Sequence, residues 1–325
     1  MTLRTRLTEK LGIDHPVLLA PMGSIAGGRL AAAVSQAGGL GLIGGGYGDQ
    51  VWLEREFAAA GNQRVGCGFI TWSLANRPQL LDLALAHRPA ALMLSFGDPR
   101  PFAARIKAAD AVLICQVQSS DHAMQAIEAG AEIIVAQGTE AGGHGGGRST
   151  LPLVPAIVDL VARQAPSAMV VAAGGVADGR GLAAALGLGA QGVLVGTRFF
   201  AAVESLGHDR AKARIVEASG EDTLRTSVFD IVRGYPWPDG ITGRALRNDF
   251  TARWHGRDSE LAAARDSEMM RYEAASANGD SKTSVVFAGE AMALVNDLPP
   301  AGAIVVRMVA EAEKALAAAA GRVVS

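Results

Sequence analysis

Three short stretches of this chain gather residue types that do chemistry at close range. In Gln137-Gly138-Thr139-Glu140-Ala141-Gly142-Gly143-His144-Gly145-Gly146-Gly147 a histidine sits among glycines. The second is Ala172-Ala173-Gly174-Gly175-Val176-Ala177-Asp178-Gly179-Arg180-Gly181, and the third is Val195-Gly196-Thr197-Arg198-Phe199. Glycine backbone N–H groups reach phosphate oxygens with no Cβ in the way, and the Thr197 hydroxyl adds a donor. An imidazole suits proton transfer near neutral pH, which makes His144 the candidate acid/base. No G-x-x-x-x-G-K-[ST] occurs, so the phosphate expected here is not a nucleoside triphosphate's. Asp178 and Arg180 read as a helix cap and a surface pair. His15, His87, His122, His208 and His255 are scattered without metal-ligand spacing, and Cys67 and Cys115 read as reduced core thiols. A metal site is therefore not expected.

The elements around these stretches say where they must sit. Apolar runs at Pro16–Ala20, Leu40–Ile43, Val65–Phe69, Ala91–Ser95, Val112–Gln116, Ile133–Ala136, Met169–Ala173 and Gly192–Val195 read as strands. They are continuous rather than alternating, as a parallel sheet buried on both faces requires. Helical patterns separate them, for example Gln79–His87, Asp121–Ala129, Val154–Gln164 and Gly181–Leu188, with Gly130 and Gly189 placed as left-handed caps. Eight such units in about 200 residues predict a (β/α)₈ barrel. An open doubly wound sheet is the weaker alternative on strand count. The glycine clusters then follow the seventh and eighth strands, where many barrels bind phosphate, and His144 follows the sixth. From residue 208 to 296 the rhythm stops, and this stretch is expected to be a smaller, mainly helical unit that covers the barrel mouth. Residues 1–207 and 297–325 form the barrel, with the last helix, Ala303–Ala319, docking back onto it through Ile304, Met308 and Leu316.

Composition narrows the class. Thirty Lys+Arg against 32 Asp+Glu leave no basic excess for a nucleic acid, and 5% aromatic residues offer no stacking platform. Forty glycines in an apolar chain imply many tight turns and close backbone approaches to a ligand. The first residues lack the apolar core of a secretory signal, and the uncharged run 30–48 is broken by glycines, so a cytoplasmic protein off the membrane is expected.

With these elements assigned, QGTEAGGHGG, AAGGVADGRG and VGTRF resemble the nitronate monooxygenase family, formerly called 2-nitropropane dioxygenases, which are FMN-dependent barrels. Pro16 with Ala20-Pro21-Met22-Gly23, and Ala37-Gly38-Gly39-Leu40-Gly41, are similar to the family's opening. Asn278-Gly279-Asp280, Ala288-Gly289-Glu290 and Asp297 are similar to its close. The likeness spans essentially the whole chain and is weakest across Gly207–Tyr272. Flavin-dependent enoyl-acyl-carrier-protein reductases resemble the same motifs closely.

The resemblance implies one FMN. Pro21, Met22 and Gly23 would meet the flavin with their backbone, and Gln116 and Gln137 would bond its ring edge or ribityl chain. Gly142 would lie beside it, and Ala173, Gly174, Gly175, Val195, Gly196 and Thr197 would surround the phosphate. Many members carry an asparagine where this chain reads Gly66-Cys67-Gly68-Phe69, so flavin contact there must come from backbone, Thr71 or water. The implied activity is oxidation of an alkyl nitronate with O₂ to a carbonyl compound and nitrite. A neutral nitroalkane would first lose its α-proton to His144. The competing readings are an FMN-dependent NAD(P)H reductase of a quinone or enoyl thioester, and a non-redox phosphate-binding barrel. Partners are a small molecule and O₂, with assembly into a homo-oligomer left open.

Overall fold

The structure, a computed structural model, describes residues 3–322. Eight strands form one parallel sheet: β1 (Val17–Leu19), β2 (Leu42–Gly46), β3 (Gly66–Ile70), β4 (Ala91–Ser95), β5 (Val112–Val117), β6 (Ile133–Gln137), β8 (Met169–Ala173) and β9 (Val193–Val195). Their order, β1-β9-β8-β6-β5-β4-β3-β2, brings the first strand beside the last. A parallel bridge between Leu18 and Leu40, just ahead of β2, completes the ring. Every apolar run read as a strand is one, with ends moved by at most a few residues. The architecture is the (β/α)₈ barrel.

Period-two alternation explains how one set of strands serves two cores. Leu18, Leu42, Met93, Ile114, Ile133, Val135, Met169, Val171 and Leu194 fill the barrel interior, with Leu7 and Leu11 of the first helix, Arg6–Leu11, packed against them. The intervening residues, such as Val17, Ile43, Leu92, Leu113, Ile134 and Val170, face the surrounding helices. Gly130 and Gly189 adopt the left-handed backbone expected of them. Asp178 caps the helix Gly179–Gly187 by accepting from the N–H groups of Arg180 and Gly181, and it also pairs with the exposed Arg180 side chain. The last helix, Ala301–Ala320, packs on that same helix and buries Ile304, Val305, Met308 and Val309. Among the described residues no helix is long and apolar enough to cross a membrane.

Residues 208–296 contain five α-helices and two strands, β10 (Thr223–Thr226) and β11 (Thr242–Leu246). These two make an antiparallel sheet with β7 (Gly143–Gly145), a strand that belongs to the loop after β6. A helical reading of this stretch missed that ribbon. Its strands are short, carry Arg, Thr and Gly, and pair with a glycine-rich partner, so no apolar alternation marks them.

Candidate active site

At the C-terminal ends of the barrel strands lies a cavity of about 920 Å³, in the range that holds a small molecule or cofactor. Pro21, Met22, Gly23, Gln116, Gln137, Gly142, His144, Ala173, Gly174, Gly175, Gly196 and Thr197 all line it. Thr71 and Val195 do not. Both are buried, Thr71 with a hydroxyl that finds no partner among the described residues, and Val195 with its carbonyl accepting from the Ala20 N–H.

One wall is glycine backbone. Gly174 and Gly175 turn with φ of +99° and +74°, a conformation that strains any side chain. A Cβ on Gly196 would meet no protein atom closer than 3.6 Å, so this glycine leaves open room in the cavity. Beside it the Thr197 hydroxyl accepts from the Gly289 N–H at 3.0 Å, which leaves its own proton to donate. Gly142 has a different role. A Cβ there would come within 2.6 Å of the Ala288 carbonyl carbon, so its close approach is to the chain at 288–289. At Gly68 a Cβ would lie 2.6 Å from the Pro21 Cβ, so the proline that lines the cavity occupies the room a larger residue would need.

A second part of the lining is made of side chains. His144 lies in β7 opposite Gly243 of β11 and is 9% exposed. Its Nε2 stands 2.9 Å from both carboxylate oxygens of Asp230, itself 5% exposed. Asp230 also accepts from Arg233 at 2.9 Å. The two belong to the helix Val228–Arg233, which ends at Gly234 with left-handed φ. Val228, Phe229 and Val232 of that helix pack against Phe250, Trp254 and Leu261, which leaves Asp230 and Arg233 for the site. Burial holds the His144 imidazole below its ordinary pKa of 6.5, against the pull of Asp230 and with help from Arg233 and Arg225. Trp237 stacks flat on the imidazole, ring centroids 3.5 Å apart and planes 6° from parallel. The Trp237 indole N–H donates to the Tyr47 hydroxyl at 3.0 Å, and Tyr47 stacks on Tyr235.

Two polar networks fix the His144 loop. Gln137 donates to the His144 carbonyl at 3.0 Å, while its own carbonyl accepts from Gln116 and Gln118. Its amide oxygen and one N–H are therefore taken up by protein, and among the described residues the Gln116 amide oxygen has no partner. Arg225 of β10 donates to the carbonyls of Thr139, Gly145 and Thr242, and Arg244 of β11 donates to that of Thr139. Burial beside Arg244 lowers the Arg225 pKa to about 10, so the guanidinium stays charged where it grips the loop.

Asp230, Arg233, Trp237, Tyr47, Tyr235 and Gln118 were not singled out from sequence as site residues. Trp72 also lines the cavity. Phe96 is another cavity residue missed. It follows β4 with φ of +64°, a backbone state that a bulky residue keeps only where its surroundings enforce it.

The residues present fit a flavin phosphate. The Gly174–Gly175 turn, the open space at Gly196 and the spare Thr197 proton form an anion cradle. The buried Trp72 indole N–H, unpartnered among the described residues, adds an unused donor in a cavity-lining side chain. No group of three or more His, Cys, Asp or Glu able to hold a metal occurs among the described residues.

The nitronate monooxygenase family matches residues 4–62 and 62–311. A nitronate monooxygenase from Neurospora crassa is 33% identical over 92% of this chain and 90% of its own. Among solved structures, FabK from Thermotoga maritima superposes with a TM-score of 0.87 at 30% identity, covering 99% of this chain and 100% of its own. A nitroalkane oxidase from Streptomyces ansochromogenes gives a TM-score of 0.80 at 25% identity, covering 96% and 99%.

Proposed function

This oxidoreductase belongs to the nitronate monooxygenase family, and from that premise we propose that it is an FMN-dependent enzyme oxidising alkyl nitronates, and nitroalkanes once deprotonated. Family membership brings a flavin; the single phosphate cradle is what favours FMN. The observation that carries the reading is a buried imidazole lining the same cavity as that cradle.

When bound, a flavin would supply the redox chemistry by which a nitronate and O₂ give a carbonyl compound and nitrite. Gly174, Gly175, Gly196 and Thr197 hold the phosphate. The backbone of Pro21, Met22 and Gly23 and the free amide oxygen of Gln116 face the ring system. His144, neutral because burial depresses its pKa, takes the α-proton of a nitroalkane. The imidazolium so formed pairs with the nitronate it has produced. Residues 208–296 cover the mouth and set substrate size, with Trp72, Tyr235 and Trp237 supplying apolar surface.

Anaerobic mixing decides the reading. A nitronate should bleach the flavin absorbance of the purified yellow protein, and NAD(P)H should not. Bleaching by NAD(P)H alone would instead favour a reductase, and a colourless folded protein would sink the flavin assignment.

A further inference from the structure

Asp230 lies outside the barrel, 86 residues from His144 in sequence, yet both its oxygens reach the same imidazole nitrogen. A carboxylate accepts and does not donate, so Nε2 must carry the hydrogen between them. The neutral ring then has its lone pair at Nδ1, and among the described residues Nδ1 has no hydrogen-bond partner. One further contact covers the ring, and two hold the backbone that carries it. Trp237 covers one face, Gln137 holds the His144 carbonyl, and β11 pairs with its backbone. Arg233 donates to Asp230 Oδ1 and to the Phe229 carbonyl, so a second donor holds the carboxylate.

We propose that Asp230 is a positioning residue that fixes His144 as the Nε2–H tautomer and presents Nδ1 as the proton-accepting atom, with Arg233 holding the carboxylate in place. The proton-transfer part rests on the function proposed above; the tautomer does not. In the step itself the α-carbon–hydrogen bond breaks and its electron pair stays on the substrate as the nitronate. The proton moves to Nδ1, and the imidazolium keeps its Nε2–H on Asp230. The charged and titratable groups around the pair are Arg233, Arg225, Tyr47, Tyr235 and Tyr272. Without the carboxylate, both arginines and burial disfavour the imidazolium. The base would then titrate at lower pH, and either tautomer would be open to it.

The experiment uses the flavin-loaded protein labelled with ¹⁵N-histidine, with His144→Asn to assign the signal. In the wild type, His144 should show a protonated Nε2 and a bare Nδ1. In Asp230→Asn the tautomers should mix and the titration midpoint should fall. Removing a carboxylate behind a catalytic imidazole costs about 10⁴ in serine proteases. Turnover of a neutral nitroalkane by Asp230→Asn should fall at least about 10²-fold with flavin retained, and Asp230→Glu should recover part of it. A wild-type Nδ1–H tautomer would overturn the proposal. So would an Asp230→Asn protein whose tautomer and midpoint are unchanged. If Asp230→Asn fails to fold, the wild-type spectrum alone decides. If the wild type turns over no nitroalkane or nitronate, the functional reading fails while the tautomer result still stands.

Discussion

On the side formed by the loops after β8 and β9, the cavity wall is backbone: Gly174 and Gly175 in left-handed turns, open space at Gly196, and one hydroxyl from Thr197. On the side formed by residues 228–244 and β7, the wall is a packed set of rings and charges: His144 between Asp230 and Trp237, with Tyr47, Tyr235 and Arg233 around them. The first surface offers donors to any anion that fits. The second sets the protonation and orientation of one side chain. The two jobs call for different chemistry. Anion binding by backbone needs room, whereas tuning a base needs contact, burial and a counter-charge.

Substitutions on each side should separate these jobs. The largest effect is expected at the cradle. Because a Cβ at Gly196 finds space, Gly196→Val should fold, and its side chain should occupy the position of the phosphate. Near-complete loss of bound flavin with an unchanged circular dichroism spectrum is the expected result; stoichiometric flavin in that variant would move the phosphate elsewhere.

The next effect belongs to the base. His144→Asn should keep its flavin and lose about 10²–10⁴-fold on a neutral nitroalkane. With a preformed nitronate the loss should be smaller, about one charge-assisted hydrogen bond, 1.5–3 kcal/mol. The sign of the pH dependence follows from the depressed pKa. The neutral imidazole persists below pH 6.5, so nitroalkane turnover should hold until the pH drops under that value and then fall. Nitronate binding, which wants the protonated ring, should strengthen over the same range. Equal losses on both substrates with an unaltered profile would make His144 a packing residue.

The smallest effect should come from the clamp. Arg225→Met removes donors from Gly145 and Thr242, while Thr139 keeps Arg244. Carbonyls left unsatisfied in this half-buried position should cost about 3 kcal/mol, seen as a lower unfolding midpoint. Flavin content should change little, because the residues Arg225 grips, Thr139, Gly145 and Thr242, do not line the cavity. Parallel loss of flavin and stability would mean the two walls are one cooperative unit.

The same contrast explains what could be read in advance. Barrel strands announce themselves as unbroken apolar runs, and the glycine clusters that line the cavity stand directly after two of them. His144 stands out because glycines isolate it. Asp230 and Arg233 carry no such mark. They occur in Val228-Phe229-Asp230-Ile231-Val232-Arg233, a pattern any amphipathic turn of helix could show, and their partner is 86 residues away. Trp237 reads as packing in a turn-rich patch, and stacking on His144 is packing of a kind that composition cannot distinguish. Gln137 is a flavin ligand only by resemblance to the family, and its side-chain oxygen instead accepts from Gln116 and Gln118. Long-range pairing decides each of these, and local pattern holds no record of it.

The shared strand β7 has a consequence for how such an enzyme can diverge. Since the chain that bears His144 is stitched to β11, and Asp230 comes from the same outer segment, that segment is no interchangeable cap. A chimera that grafted residues 208–296 from a relative would import a new counter-charge and a new edge for the histidine's own backbone. Selectivity and basicity would be inherited together, so a change in what the cavity admits would carry with it a change in the pH at which it works.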